Sequence, residues 1–211
     1  MAWNRLPSSY DVVARAYESR FVDELRDKPR DRELLDQFAA AATDPVVEIG
    51  CGPGQVGLVV QAHGRYVVGV DISSEMARLA SRRLRAALVA DLRELPFAGG
   101  QIGALVAFYS LIHVPRPQLA AAVGEFHRVL RPGGRVLFSA HEGEGQIELD
   151  EFLDESVPFV ATLFQLDELV EATTAAGLTV TTAERRPPYP SEHPTDRLYV
   201  TAERPGATGR G

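Results

Sequence analysis

A glycine-rich segment is the first part of the sequence that could do chemistry. It reads Glu48-Ile49-Gly50-Cys51-Gly52-Pro53-Gly54 and follows a short apolar run that begins at Pro45. Glycines at a strand-to-helix turn let the backbone approach a ligand and expose the amides at the start of the helix. The spacing Gly52-x-Gly54-x-x-Gly57 also matches the dinucleotide fingerprint. The segment therefore predicts a nucleotide-type site, and an NAD(P)-dependent Rossmann oxidoreductase is one candidate.

Acidic residues follow at the ends of successive predicted strands. Glu48 ends the first strand and Asp91 ends the third. Asp71 ends the second strand, about 20 residues beyond Gly50, and is placed to accept both hydroxyls of a ribose. Glu48 would repel the diphosphate of a dinucleotide. A cationic ligand that carries a nucleoside suits both carboxylates, and S-adenosylmethionine is such a ligand.

Segments along the chain, taken in order, resemble the motifs of the class I S-adenosylmethionine-dependent methyltransferases of small molecules. They read VVEIGCGPG, VVGVDIS, VADLRELPF, LVAFYSLIHV and LRPGG. The resemblance is close from Pro45 to Ala140, and Leu166 to Ala202 resembles the last helix and strand pair of the family. More loosely, Tyr10-Asp11-x-x-Ala14-x-x-Tyr17 is similar to the helical cap of its small-molecule members. The family implies methyl transfer, with S-adenosylmethionine as cofactor and S-adenosylhomocysteine as product.

The resemblance also implies roles for single residues. Glu48 would bind the ammonium of the cofactor directly or through water, although the family often has aspartate there. The backbone of the glycine-rich loop would pass close to the methionine moiety. Asp71 would hold the ribose, and Ile72 and Met76 would sandwich the adenine.

Further roles concern the adenine edge and the rim of the site. Asp91 would accept from the exocyclic amine, the Leu92 amide would donate to a ring nitrogen, and Tyr109 would lie where cofactor meets acceptor. Cys51 is expected to be a small loop residue, because methyl transfer needs no thiolate. The implied cofactor-binding set is Glu48, Gly50, Cys51, Gly52, Gly54, Asp71, Ile72, Met76, Asp91, Leu92 and Tyr109.

Catalytic candidates come from the same predicted sheet edge. A sulfonium is already an activated methyl donor, so an in-line displacement needs chiefly alignment of the reacting atoms. A general base is required only when the acceptor loses its proton late or has a high pKa. His113 and His141 follow the fourth and fifth strands and are candidates for base, for cofactor contact or for a purely structural role. Tyr17, with Tyr10 on the same amphipathic helix, is a candidate for either the pocket or the core.

The acceptor is expected to be a small molecule methylated on oxygen or nitrogen. Phe152, Phe159, Phe164 and Tyr189 could build an apolar pocket for a ring-containing acceptor, although core packing explains some of these rings equally well. The 29 acidic residues outnumber the 22 basic ones, and the net charge of −7 argues against a nucleic-acid partner. A catalytically silent S-adenosylmethionine-binding protein remains an alternative.

No metal is expected. A magnesium-dependent enzyme of the catechol type needs carboxylates beside the acceptor. The sequence after the predicted fourth strand, Tyr109-Ser110, offers none.

Alternating apolar runs and helical periodicities predict an α/β fold with a doubly wound parallel sheet. The family implies a Rossmann-like seven-stranded sheet with an antiparallel last strand, and the last two predicted strands can pair only antiparallel because no crossover helix fits between them. The predicted strands are 45–49, 66–70, 87–90, 102–109, 135–140, 178–185 and 197–202. The predicted helices are 8–25, one starting at Leu34 after a break at 28–31, 55–63, 74–84, 118–130 and 166–176.

The 211 residues are expected to form one domain over 1–204. Within it, 1–43 would be a helical cap, 142–165 a lid insertion, and 205–211 would be a disordered tail. The single cysteine and the absence of a leader-like or membrane-spanning run suggest a cytoplasmic protein, monomeric or homodimeric.

Overall fold

A computed structural model describes residues 6–206. The predicted disorder of the tail concerns 205–211, of which 207–211 lie outside the described residues. The first residues of the predicted helical cap, 1–5, lie outside them as well. Among the described residues, no helix is both long enough and apolar enough to cross a bilayer.

Helices and strands alternate through the middle of the chain, as predicted. The helices are α1 (Leu6–Phe21), α2 (Pro29–Ala41), α3 (Gln55–Ala62), α4 (Ser74–Ala80), α5 (Leu119–Val129) and α6 (Leu166–Ala175). The strands are β1 (Val46–Ile49), β2 (Val67–Asp71), β3 (Ala86–Val89), β4 (Ile102–Phe108), β5 (Leu130–His141), β6 (Gln146–Leu149), β7 (Phe159–Thr162), β8 (Thr179–Arg186) and β9 (Arg197–Glu203).

The main sheet has seven strands in the order β3-β2-β1-β4-β5-β9-β8. The pairs among β1 to β5 are parallel, whereas β9 is antiparallel to both β5 and β8. Every residue of the central strands β1 and β4 is buried, because helices cover both faces of a doubly wound sheet. The predicted fold class is confirmed.

The N-terminal segment differs from its prediction at 28–31. The sequence there predicts a break, but α2 already begins at Pro29. Proline suits the first helical position because it has no N–H to leave unpaired and its φ is already helical. Ala14 of α1 packs against Met76 and Leu79 of α4, which places this helix over the sheet edge that carries the motifs.

The predicted insertion 142–165 contains a small two-stranded sheet of its own. Strands β6 and β7 pair antiparallel, and the amide of Leu163 donates to the carbonyl of Gly145 at the base. We call residues 146–162 the hairpin.

The aromatic residues near this insertion take different places. Phe152 and Phe159 stack on each other with ring centroids 4.5 Å apart. Phe164 does not line a pocket: its side chain is fully buried in the main core, beneath the guanidinium of Arg116. Of the two roles open for Phe164 from the sequence, acceptor pocket or core packing, the structure supports core packing.

A substitution separates the core role of Phe164 from a pocket role. Phe164→Ala should lower the free energy of unfolding by about 3–5 kcal/mol, since it removes a buried ring and leaves a cavity. Leu149→Ala, at a half-exposed side chain of the hairpin, should change it by less than about 0.5 kcal/mol. Chemical denaturation measures both. Equally small changes in the free energy of unfolding of the two variants would contradict the placement of Phe164 in the core.

Candidate functional site

Two adjoining cavities lie at the carboxyl ends of β1, β2 and β4. We call them the main cavity and the polar cavity; with the solvent-open space at their mouths included, they span about 610 Å³ and about 390 Å³. Tyr17, Gly50, Gly52, Phe108 and Tyr109 line both. The main cavity is also lined by Leu6, Tyr10, Ile49, Val70, Asp71, Ile72, Met76, Ala90, Leu92, Ser110 and His113. The polar cavity is also lined by Glu24, Leu25, Lys28, Asp31, Glu48, Cys51, Gln55 and Val56.

The glycine-rich loop needs its glycines for two reasons. Gly50, Gly52 and Gly54 have φ values of +65°, +50° and +90°, which favour glycine. A Cβ on Gly50 would also lie 2.4 Å from the Cβ of Ser110. The side chain of Ser110, in the loop after β4, therefore packs directly against the backbone of Gly50, in the loop after β1. Both residues line the main cavity, and we call their contact its floor. Gly54 lines neither cavity and instead precedes α3.

Asp71 joins this loop to the end of β2. One carboxylate oxygen accepts from the Gly52 amide at 2.8 Å, and the other accepts from the Ser73 amide at 2.9 Å. Burial raises the pKa of Asp71 to about 6, although the backbone donors of Ser73 and Gly52 oppose the shift. Each oxygen keeps a further lone pair, so the carboxylate can accept from hydroxyl groups of a ligand in the main cavity.

Glu48 is buried at the wall of the polar cavity. Its carboxylate accepts from the Gly57 amide in the first turn of α3 at 2.9 Å. Burial raises the pKa of Glu48 well above its usual range, with the charge of Asp71 adding to the shift. A Cβ on Gly57 would lie 2.3 Å from the Glu48 carboxylate. The third glycine of the fingerprint thus makes room for an acidic side chain, which disfavours a pyrophosphate at this turn.

Two buried polar atoms in these cavities have no hydrogen-bond partner. They are the Ser110 hydroxyl oxygen and the Gln55 side-chain oxygen. Ser110 faces the main cavity and Gln55 the polar cavity, where its amide nitrogen donates to Glu24 at 3.1 Å. An unpaired buried polar atom costs free energy. Both atoms therefore favour a ligand with polar groups at either end of the joined cavities.

The predicted adenine contacts divide into two groups. Ile72, Met76 and Leu92 line the main cavity beside Asp71. Asp91 does not line it, and its two carboxylate oxygens accept from the Arg93 guanidinium. The role of Asp91 toward an adenine amine stays a prediction.

His113 and Tyr10 form a hydrogen-bonded pair in the wall of the main cavity. The Tyr10 hydroxyl lies 2.8 Å from His113 Nε2, and His113 Nδ1 lies 2.9 Å from the Val160 carbonyl of β7. Burial lowers the pKa of His113 to about 4, so the imidazole is neutral at neutral pH. Tyr17 lines both cavities, and its ring packs on Phe21 and Tyr10.

His141 lies behind Tyr109 rather than in either cavity. Its ring stacks on that of Tyr109 at 5.1 Å, and its Nδ1 lies 2.9 Å from the Thr195 hydroxyl. Burial lowers the pKa of His141 to about 3, and Arg197 adds to the shift. The structure thus gives His141 a packing position. Its prediction as a catalytic group at the cavity is not supported by this geometry.

Tyr109 is held by a buried network that the sequence did not suggest. Its φ of +53° is rare outside glycine. Its hydroxyl donates to the fully buried carboxylate of Asp31 at 3.2 Å. Asp31 also accepts from Tyr199 at 2.5 Å and from Arg186 at 3.0 Å. Helix α2 is thereby bonded to β8 and β9, and Tyr109 is fixed between the two cavities.

Several cavity residues were missed by sequence reasoning. Asp31 carried a signal, since it falls on the apolar stripe of α2 with Leu35 and Phe38, where a charge needs a partner. Ser110 and Gln55 carried a weaker one, because they directly follow predicted site residues. Nothing in the sequence pointed to Lys28, which pairs with Glu24 at 2.5 Å in the polar cavity.

Two further expectations have a structural outcome. Cys51 is buried, and burial raises the pKa of its thiol well above the usual range, so it carries no reactive thiolate. Tyr189 lines neither cavity; the Arg186 guanidinium lies 4.0 Å from its ring centroid.

Among residues 6–206, no three His, Cys, Asp or Glu side chains are grouped as metal ligands would be.

Comparison with known proteins finds similarity to methyltransferases. A family model described as a methyltransferase domain matches residues 46–134. A malonyl-[acyl-carrier protein] O-methyltransferase of Serratia marcescens is 29% identical over 140 residues, covering 65% of this chain and 50% of that enzyme. The chain spans only 32–51% of the length of the first curated relatives that it matches. These matches support a class I S-adenosylmethionine-dependent methyltransferase, with S-adenosylmethionine as its cofactor.

Solved structures agree with the fold. A methyltransferase from Methanosarcina mazei superposes with a TM-score of 0.68 at 19% identity, covering 76% of this chain and 92% of that one. A second structure is that of the 1,6-didemethyltoxoflavin-N1-methyltransferase of Burkholderia thailandensis, with 1,6-didemethyltoxoflavin and S-adenosylhomocysteine bound. It superposes with a TM-score of 0.62 at 22% identity, covering 94% of this chain and 90% of that one. At these identities the likeness establishes the fold alone.

The raised pKa of Asp71 predicts a pH-dependent affinity for S-adenosylhomocysteine. Only the ionised carboxylate can accept from two amides and two ribose hydroxyls at once, so affinity should fall as the pH drops through about 6. Between about pH 7.5 and pH 5 we expect a tenfold loss, on the order of 1.4 kcal/mol. His113 and His141 stay neutral in this interval. Glu48, whose pKa burial also raises, adds its own pH dependence. Titration calorimetry should therefore show a weaker affinity and a smaller pH dependence for Asp71→Asn; an unchanged pH profile in that variant would contradict the assignment.

The contact between Gly50 and Ser110 predicts a second loss of affinity for S-adenosylhomocysteine, caused by steric overlap. Gly50→Ala should abolish S-adenosylhomocysteine binding, because the new Cβ overlaps Ser110 and displaces the cavity floor. Gly64→Ala is a matched control, since its φ is +79° and nothing lies within 4 Å of its Cβ. The control should lose about 1–2 kcal/mol of stability from backbone strain alone and keep its affinity. Equal affinities in the two variants would contradict the proposed floor.

Proposed function

We propose that this protein transfers a methyl group from S-adenosylmethionine to an oxygen or nitrogen atom of a small molecule, by in-line displacement and without a metal. The pair of joined cavities at the carboxyl edge of the sheet carries the proposal. One holds the Asp71 carboxylate beside apolar side chains, and the other holds the Glu48 carboxylate. A nucleoside that bears a cationic amino-acid chain suits both.

The residues present fit this cofactor. In the proposal Asp71 accepts from the ribose hydroxyls, and Ile72 and Met76 enclose the adenine. Glu48 and the unpaired oxygen of Gln55 face the ammonium. The Leu92 amide and the Asp91 carboxylate are proposed for the adenine edge, with Asp91 shared with Arg93.

Positioning is the main task left to the chain. The bound sulfonium supplies a methyl group that needs no further activation. The protein then fixes the acceptor in line with that methyl group, and such alignment is worth on the order of 7–11 kcal/mol of the barrier. Tyr17 and Tyr109 line both cavities and are proposed to border the point where acceptor and cofactor meet.

The acceptor is proposed to be small and ring-containing. The main cavity is also lined by rings and an aliphatic side chain, which are Leu6, Tyr10, Tyr17 and Phe108. An apolar lining with a few polar groups is typical of small-molecule sites. The toxoflavin-type enzyme of similar fold binds a small acceptor, which supports the same class here. The net charge of −7 disfavours nucleic acid.

The segment 142–165 is proposed to cover the acceptor together with α1. Phe152 of the hairpin contacts the ring of Tyr10, with centroids 6.1 Å apart, so the two segments meet above the main cavity. A cover of this kind would exclude water and hold the acceptor in place.

Binding and turnover test the proposal in order. Titration calorimetry should show binding of S-adenosylhomocysteine and none of NAD. A screen of small molecules for consumption of S-adenosylmethionine should then find an acceptor, with equal turnover in EDTA and in added magnesium. NAD binding alone would favour an oxidoreductase. S-Adenosylhomocysteine binding without any turnover would favour the silent binding protein, and turnover lost in EDTA would contradict the metal-free mechanism.

A further inference from the structure

Three groups from distant parts of the chain form a linear hydrogen-bonded series at the main cavity. Tyr10 belongs to α1, His113 to the turn after β4, and the Val160 carbonyl to β7 of the hairpin. The Tyr10 hydroxyl lies 2.8 Å from His113 Nε2, and His113 Nδ1 lies 2.9 Å from the Val160 oxygen. Tyr10 and His113 both line the cavity.

The direction of these hydrogen bonds follows from the Val160 carbonyl. A carbonyl oxygen can only accept, so His113 Nδ1 must carry the ring proton. A neutral imidazole then has its lone pair on Nε2, and the Tyr10 hydroxyl must donate to it. The hydroxyl has used its only proton in this bond. Its oxygen therefore offers only lone pairs to a group inside the cavity.

We propose that Tyr10 receives the proton of the methyl acceptor and passes its own proton to His113. This inference rests on the proposed function. The acceptor atom forms its bond to the methyl carbon while the carbon–sulfur bond breaks and leaves its electron pair on sulfur. The acceptor proton goes to the Tyr10 oxygen, and the Tyr10 proton goes to Nε2 of His113. The positive charge thus leaves the sulfonium and appears on the imidazole, so the net charge of the site is unchanged.

This arrangement selects a chemical class of acceptor. A neutral hydroxyl or a ring N–H becomes strongly acidic once its atom is methylated, so even a weakly basic buried imidazole can take up the proton. A carboxylate acceptor has no proton to lose and would gain nothing from Tyr10. We therefore infer an acceptor that is a phenol, an alcohol or an N–H heterocycle.

The hairpin completes the series. Besides the Val160 carbonyl, it contributes Phe159, whose ring meets that of His113 edge-on at 5.5 Å, and Phe152, which meets Tyr10. Without the Val160 carbonyl, nothing in the series would hold the ring proton on Nδ1. The hairpin is therefore a positioning element for the proton transfer as well as a proposed cover.

Substitutions that keep shape but remove proton transfer test the inference. Tyr10→Phe keeps the ring contacts with Tyr17 and Phe152. His113→Gln can still accept from Tyr10 but cannot take up its proton. In the S-adenosylmethionine consumption assay, with a panel of phenols, N–H heterocycles and carboxylic acids, each variant should lose about 10²–10⁴-fold in turnover of protic acceptors. S-Adenosylhomocysteine affinity should change less than threefold, which shows that the cofactor site is intact.

A measurement independent of turnover tests the direction of the series. Nitrogen NMR of labelled protein should show His113 as the neutral Nδ1–H form. Replacement of 146–162 by a short glycine linker should remove that preference, and the Gly145 to Leu163 hydrogen bond shows that the two ends are close enough to join. The shortened variant should still bind S-adenosylhomocysteine and should lose turnover of protic acceptors.

The outcomes separate the two proposals. Methylation that stays within threefold in Tyr10→Phe and His113→Gln, methylation of carboxylic acids alone, or an Nε2–H form of His113 would overturn the relay and leave the proposed function standing. Failure to bind S-adenosylhomocysteine, or binding without methylation of any panel member, would overturn the proposed function and the relay together.

Discussion

The buried carboxylate of Asp71 connects the parts from which the site is built. It accepts from the Gly52 amide in the loop after β1 and from the Ser73 amide at the start of α4. A buried charge is costly unless donors surround it, and two backbone amides offset part of that cost here. The glycine-rich loop and the first turn of α4 are thereby held at one side chain, which fixes both the loop path and the position of Met76.

The same connection extends to the N-terminal helix. The Ser73 hydroxyl accepts from the Met76 amide as the N-cap of α4 and donates to Asp11 of α1 at 2.6 Å. Asp11 also accepts from the Glu75 amide at 3.1 Å. A carboxylate at the first turn of a helix is favoured by the helix dipole. Helix α1 is therefore tied to the loops at the carboxyl edge of the sheet, which brings Tyr10 and Tyr17 to the main cavity.

Sequence reasoning predicted what depends on residues near each other in the chain. Alternating strands and helices, the glycine loop and the acids at strand ends are local patterns, and the seven-stranded sheet confirmed the fold they imply. Sequence reasoning did not predict the hydrogen bonds between residues that lie far apart in the chain. The Tyr10 to His113 bond links positions 103 residues apart, and Asp31 to Tyr199 links positions 168 apart. No local pattern encodes such pairs.

The two histidines show the same limit. Both were expected at the cavity because both follow a strand whose carboxyl end faces the site. His113 lies there, but β5 continues to His141, which pairs with Arg197 of β9 and stacks behind Tyr109. Successive side chains along a strand point to opposite faces of the sheet, so an error of one residue in the predicted end of β5 changes the face on which His141 lies. The sequence does not locate the end of a strand to within one residue.

A crystal structure with S-adenosylhomocysteine tests the central claim most directly. We predict both ribose hydroxyls within hydrogen-bond distance of Asp71, the adenine between Ile72 and Met76, and the amino-acid end in the polar cavity beside Glu48 and Gln55. A nucleoside bound elsewhere, or an amino-acid end directed away from the polar cavity, would contradict this account of the site.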